Sequence, residues 1–309
     1  MRQLTASLEQ WLKTFNLLMD GAIASGMPLT VATAREGLAT ITRELVTDIP
    51  DIALVKKDTV IADCVPVRIY HPQPEQALPV LLFFHGGGHM AGSVDVYDPI
   101  CRKLAFHCEH IVVSVEYRLA PEHPYPAAID DGYLVLQSLL QTLVRSELNF
   151  IPQLSIAGDS AGGALCATLA RMAQFDDGIE IAKQVLIYPS LDYTLSFPSV
   201  NQNGVGYLLQ QSRMDWYFSN YFQHNEDRRQ ASPVWGPYSM ALPETLMITA
   251  EFCPLKDEGK AYVEALRKQE VNVEHVHFEQ MIHAFLNMEN ITKKECEQAY
   301  QAIATFLKK

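Results

Sequence analysis

Gly158-Asp159-Ser160-Ala161-Gly162 follows the short apolar run Leu154-Ser155-Ile156-Ala157 and precedes Leu165, Thr168 and Leu169, which read as one face of a helix. A strand, a Gly-x-Ser-x-Gly turn and a helix in that order predict a bend so sharp that only glycine fits two residues either side of a serine with strained backbone. The Ser160 hydroxyl would then stand at the C-terminal edge of a sheet. There the helix N-terminus adds partial positive charge and unpaired N–H groups.

A second glycine motif lies upstream, where His85-Gly86-Gly87-Gly88 follows the apolar run Val80 to Phe84. With 16 glycines in 309 residues, a random chain carries the first motif on the order of 0.05 times and the second on the order of 0.001 times. Acyl transfer builds negative charge on a carbonyl oxygen and needs donors about 3 Å from it. The N–H groups of Gly87, Gly88 and Ala161 are the candidates. Together the two motifs predict a serine hydrolase. His85 reads as a residue that fixes its loop by hydrogen bonding, and His89 as one lining the mouth.

Such a nucleophile needs a base after the last strand, and His283 in Gln280-Met281-Ile282-His283-Ala284-Phe285 is so placed. An imidazole with an ordinary pKa near 6.5 takes a serine proton and returns it to a leaving alcohol. His275 and His277 compete for this role, but they read as lying inside the strand rather than in the loop after it.

Around these motifs the chain alternates short apolar runs with helical stretches. Val80 to Phe84, Ile111 to Val115, Leu154 to Ala157, Val185 to Tyr188, Leu246 to Thr249 and Val273 to Phe278 read as strands of a mostly parallel sheet with helices on both faces, an α/β fold. Ile52 to Val55 and Val65 to Tyr70 read as extended, the second as an outer antiparallel strand. Helical faces are expected over Tyr133, Leu136, Leu140 and Leu143, and over Tyr300, Ile303, Phe306 and Leu307. Residues 1 to about 45 are helical in pattern, with Leu8, Trp11, Leu12, Phe15 and Leu18 on one face. From Ser190 to about Arg229 the rhythm fails and aromatics accumulate, as in an insertion. The expectation is one domain over residues 1–309, with a helical cap from about 1–45 and 190–229 roofing the site.

Composition narrows the function. A formal net charge of −12 and the lack of a basic block argue against nucleic acid and against an anionic membrane surface. No run approaches the roughly 18 apolar residues of a membrane span, and no signal-peptide pattern opens the chain, so a cytoplasmic protein is expected. The six cysteines are scattered as free thiols are. Neither His275 with His277 nor the group Cys101, His107, Cys108 and His110 has zinc-site spacing, so no metal is expected.

The chain resembles the bacterial hormone-sensitive-lipase family of esterases, family IV of the α/β hydrolases. The likeness runs from about residue 50 to 307 through Val67 to Tyr70, His85 to Gly88, Tyr117 to Pro124, Pro126-Ala127-Ala128, Gly158 to Gly163, Gly206 to Leu209, Ala231-Ser232-Pro233 and Pro254 to Gly259. It implies the α/β-hydrolase fold, hydrolysis of short acyl esters as small-molecule substrates, no cofactor, the cap named above and often a homodimer. One departure stands out. The family carries an aspartate, the third triad member, just before Pro-Leu, where this chain reads Glu251-Phe252-Cys253-Pro254-Leu255.

A neutral thiol accepts hydrogen bonds poorly and supplies no charge for the imidazolium that forms in the transition state. Four readings are open at Cys253: rescue by a nearby carboxylate (Glu251, Asp257 or Asp192), weakened activity on Ser160 and His283, a position altered from an original aspartate, or a thiolate or oxidised sulfur acting as the acid. Two further classes compete with the esterase. Plant gibberellin receptors are similar to this family, lack a complete triad and bind a small molecule, and an amidase or deacetylase shares the machinery.

Overall fold

The computed structural model describes residues 2–309, the side chain of Asp58 excepted. Eight strands form one sheet in the order β1-β2-β4-β3-β5-β6-β7-β8. They are β1 Leu54–Ile61, β2 Val65–His71, β3 Leu78–Phe84, β4 Ile111–Val115, β5 Phe150–Asp159, β6 Lys183–Ile187, β7 Glu244–Phe252 and β8 Val273–Ile282. From β4 across to β8 every pairing is parallel, while β2 runs antiparallel to both β1 and β4.

The inner parallel strands are apolar on both faces because each feeds two cores. In β3, Leu81 and Phe83 enter one core, with Ile100 and Leu104 of α3 (Asp98–Cys108) and Ile303 and Phe306 of α10 (Lys293–Leu307). Val80, Leu82 and Phe84 enter the other, with Leu139 of α4 (Ala127–Arg145), Leu169 of α5 (Ala161–Ala173) and Leu266 of α9 (Lys256–Lys268). Each such side chain contributes about 1.5–3 kcal/mol on burial. This double packing holds the C-terminal strand ends, where the site lies, on a rigid base.

Three details differ from the expectations. The first strand is not Ile52 to Val55 but β1, which runs on through Lys56, Lys57 and Thr59. Those polar residues fit an edge strand. β2 is not the outermost strand; β1 covers it, and Arg68 on β2 is buried in an ion pair with Asp98 of α3 at 3.1 Å. Finally, Leu18 does not share the buried face of α1 (Ala6–Ala24) with Leu8 and Leu12 but is 68% exposed.

A second helix, α2 (Val31–Leu45), opens with a reciprocal cap in which Thr30 and Thr33 each accept the other's backbone N–H. The stretch from 190 to 229 carries the short helix α6 (Pro198–Asn203), then α7 (Gln211–Tyr221), and runs into α8 (Arg228–Ala231). Asn16 of α1 donates to Gly206 O at 3.0 Å, so the N-terminal helix and this stretch are joined. Among the described residues, no helix is long and apolar enough to cross a membrane.

Candidate functional site

Ser160 occupies the bend between β5 and α5 with φ 53° and ψ −116°, a conformation that side chains rarely adopt. The glycines around it are demanded by contact. A Cβ on Gly158 would lie 2.4 Å from the Gly162 carbonyl, and one on Gly162 would lie 1.9 Å from Phe84 O. Strand, bend and helix therefore interlock, and Ser160 is aimed by backbone alone.

His283 follows β8, and its Nε2 lies 2.9 Å from Ser160 Oγ. With the serine hydroxyl donating to Nε2, the neutral ring carries its proton on Nδ1. That proton points to Cys253 Sγ, 3.2 Å away. The Leu255 N–H reaches the same sulfur at 3.4 Å. Two N–H donors thus converge on one atom, an arrangement that suits an anion better than a thiol. Asn203 of α6 fixes this turn by donating to Glu251 O and Cys253 O, both at 3.0 Å.

Burial decides the protonation states here. It pushes His283 down to about 3, and no opposing charge raises it. Burial also pushes the Cys253 thiol up, which favours its neutral form.

Of the three carboxylates that could replace the acid, Glu251 and Asp192 are committed elsewhere. Glu251 binds Arg2 at 2.7 Å, Lys256 at 3.2 Å and His277 at 3.1 Å. Its own burial works against ionisation, but Lys256, His277 and Arg2 together hold its carboxyl below the ordinary range. Asp192 accepts from the backbone and hydroxyls of Thr194 and Ser196 and from the Trp235 indole. Asp257 lies at the start of α9, 4.0 Å from Lys256 Nζ. His275 and His277 both bond Thr249 Oγ1 at 2.8 Å.

Above Ser160, Gly87 at φ 123° and Gly88 at φ 64° hold the second glycine loop in left-handed conformations that favour glycine. His85 Nδ1 bonds Gly86 O at 2.8 Å, and Tyr117 Oη donates to His85 O at 2.6 Å, so the loop is tied from below. No acceptor takes the N–H of Gly87, Gly88 or Ala161 among the described residues. His89 does not open on a mouth; it is buried, stacked 4.0 Å from the Tyr221 ring and 3.1 Å from Tyr193 Oη.

Aromatics from the 190–229 stretch reach both ends of this arrangement. A Cβ on Gly88 would meet the Tyr217 ring at 2.7 Å, and Tyr207 packs 5.1 Å from Phe252, next to Cys253. Asp159, Tyr97 and Asn203 were not legible as site residues. Asp159 alone carried a signal, as a charge in an elbow whose other neighbours are small.

A charge-free serine and histidine pair under a glycine loop is a recognisable arrangement, and the comparisons agree with it. The family described as the α/β hydrolase fold matches residues 81–287. Carboxylesterase NlhH of Mycobacterium tuberculosis is 35% identical over 247 residues, 78% of this chain and 77% of that protein. Ethyl acetate hydrolase of Pseudomonas putida is 33% identical over 255 residues, 81% of this chain and 79% of that one. The solved hyperthermophilic esterase from Pyrobaculum calidifontis superposes with a TM-score of 0.86 at 32% identity, over 99% of this chain and 98% of its own. The chain belongs to the hormone-sensitive-lipase family, family IV, of carboxylesterases with the α/β-hydrolase fold.

Proposed function

We propose that the protein hydrolyses short acyl esters through an acyl-enzyme on Ser160, at a rate limited by the absence of an acid behind His283. The observation that carries this reading is the 2.9 Å contact between Ser160 Oγ and His283 Nε2. Ser160 attacks the ester carbonyl, and His283 takes its proton and passes it to the leaving alcohol. The N–H groups of Gly87, Gly88 and Ala161 receive the oxyanion. Water, deprotonated by the same histidine, then releases the acid.

The cap reading rests on the contacts of Tyr217 with Gly88 and of Asn16 with Gly206. Aromatic bulk so close to the oxyanion loop leaves room for a short acyl or alcohol group. A substrate panel checks this: p-nitrophenyl acetate or butyrate should turn over faster than the octanoate, and faster than the matched anilide. Anilide preference would make the protein an amidase.

Lack of a charge behind His283 also sets the pH dependence. An opposite charge raises a histidine pKa, so without one the base form persists as pH falls. With His283 near 3, kcat/KM should stay level from about pH 8 down to about pH 5. An aspartate at 253 should move an acid limb up toward neutrality. A limb near 6.5 in the native chain would show that a carboxylate already serves the imidazole.

Cys253 itself favours one other reading, a binding protein that has shed turnover. In that case a short ester would bind without Ser160-dependent product.

A further inference from the structure

We propose that the Asp159 carboxyl is the positioning residue that holds the oxyanion loop in register with the nucleophile; this rests on the esterase reading above. Asp159 immediately precedes Ser160, yet its side chain leaves the elbow and crosses to the other glycine motif. Its Oδ1 accepts the Gly86 N–H at 2.6 Å, and its Oδ2 accepts the Tyr97 hydroxyl at 3.0 Å. One carboxyl group therefore spans the two segments that supply attack and oxyanion binding.

The fit is close enough to constrain its neighbours. A Cβ on Gly86 would lie 2.4 Å from Asp159 Oδ2 and 2.8 Å from Tyr97 Oη. Tyr97, just ahead of α3, is itself only 1% exposed, and its ring lies 5.4 Å from that of His85. Gly86, Gly87 and Gly88 have no side chains with which to anchor themselves. Backbone turns from Met90 and Ala91 N–H to Gly87 O shape the loop, Tyr117 on His85 O and His85 on Gly86 O hold it from below, and Asp159 on Gly86 N ties it to the nucleophile segment.

Burying a carboxyl is costly, and it is kept only where it has specific partners. Asp159 is 2% exposed, and burial lifts it to about 7 against the opposing pull of Tyr97 and the Gly86 N–H. A smaller apolar residue would satisfy packing without that cost. It would leave the Gly86 N–H unpaired and the loop free to drift from Ser160.

Drift of the loop costs hydrogen bonds made only in the transition state, so the loss should fall on kcat and spare KM. Asp159→Ala, Asp159→Asn and Tyr97→Phe should be compared by kcat and KM on p-nitrophenyl acetate, in the native chain and with Cys253→Asp, with thermal unfolding followed alongside. Removing a single oxyanion donor costs about a hundredfold to a thousandfold. A displaced loop should lose about tenfold to a hundredfold in kcat for Asp159→Ala, with KM within about twofold. Asparagine keeps an oxygen for the Gly86 N–H and should recover most of the rate. Tyr97→Phe removes one of the two ties and should lie between native and alanine.

An unchanged kcat in folded Asp159→Ala, a loss carried by KM, or an asparagine variant as slow as alanine would overturn the proposal. Should the alanine variant not fold, the asparagine and phenylalanine variants still decide it: asparagine tenfold or more below native refutes it. Ser160→Ala separates the two levels. Native turnover that falls less than about threefold in Ser160→Ala overturns the esterase reading, and this inference with it, whereas Ser160-dependent turnover indifferent to Asp159 overturns this inference alone.

Discussion

Cys253→Asp is expected to raise kcat on a short p-nitrophenyl ester by a hundredfold or more. The local geometry is ready for a carboxylate: the His283 Nδ1–H and the Leu255 N–H already converge on Cys253 Sγ at 3.2 and 3.4 Å. A carboxylate there takes both hydrogen bonds and gives the imidazolium a counter-charge. In serine proteases, loss of this acid costs about 10⁴ in kcat, roughly 5 kcal/mol. The gain should be smaller than that full range, because burial also has to be overcome for the new carboxylate. A rise under tenfold, with the fold intact, would mean that the imidazole lacks nothing a carboxylate provides.

Ser160→Ala should cost the native chain only about a hundredfold in kcat, but about ten-thousandfold or more in the Cys253→Asp background. Triad members act as a unit. In the protease template, removing serine or histidine costs about 2 × 10⁶, while removing the acid alone costs about 3 × 10⁴, so most of the machinery's value is gone once the acid is lost. What remains for Ser160 in the native chain is the smaller residue. Steady-state rates of the two single variants and the double variant, taken with one ester, form the cycle. Equal costs of Ser160→Ala in both backgrounds would show that Cys253 and Ser160 act independently.

Much of the architecture could be read from residues that act locally. The inner strands β3, β4 and β6 show as apolar runs because both faces of each are buried, and alternate side chains such as Leu81 and Leu82 feed different cores. Ser160 was legible because its bend needs glycine at 158 and 162, where added Cβ atoms would strike backbone. The extent of β1 was not, since Lys56, Lys57 and Thr59 sit on an edge strand where polarity carries no penalty.

Contacts that cross the chain were harder to see. Asp159 meets Gly86 and Tyr97 across 73 and 62 residues, and Asn203 grips Cys253 O across 50. No spacing rule links such positions. The same holds for Glu251: sequence proximity suggested it as a substitute acid, but it is held by Arg2, from the far end of the chain, together with Lys256 and His277. The cysteine at 253 was visible in the sequence, while the partners that hold Glu251 and Asp192 required the three-dimensional arrangement.

Intact-mass and peptide-level mass spectrometry after exposure to a serine-directed phosphonate ester tests the central claim most directly, because it reads the nucleophile without relying on turnover. The expected result is a single adduct on Ser160, formed more slowly in the native chain than with Cys253→Asp and lost in His283→Ala. An unlabelled Ser160 in folded protein, or an adduct on Cys253 instead, would contradict it.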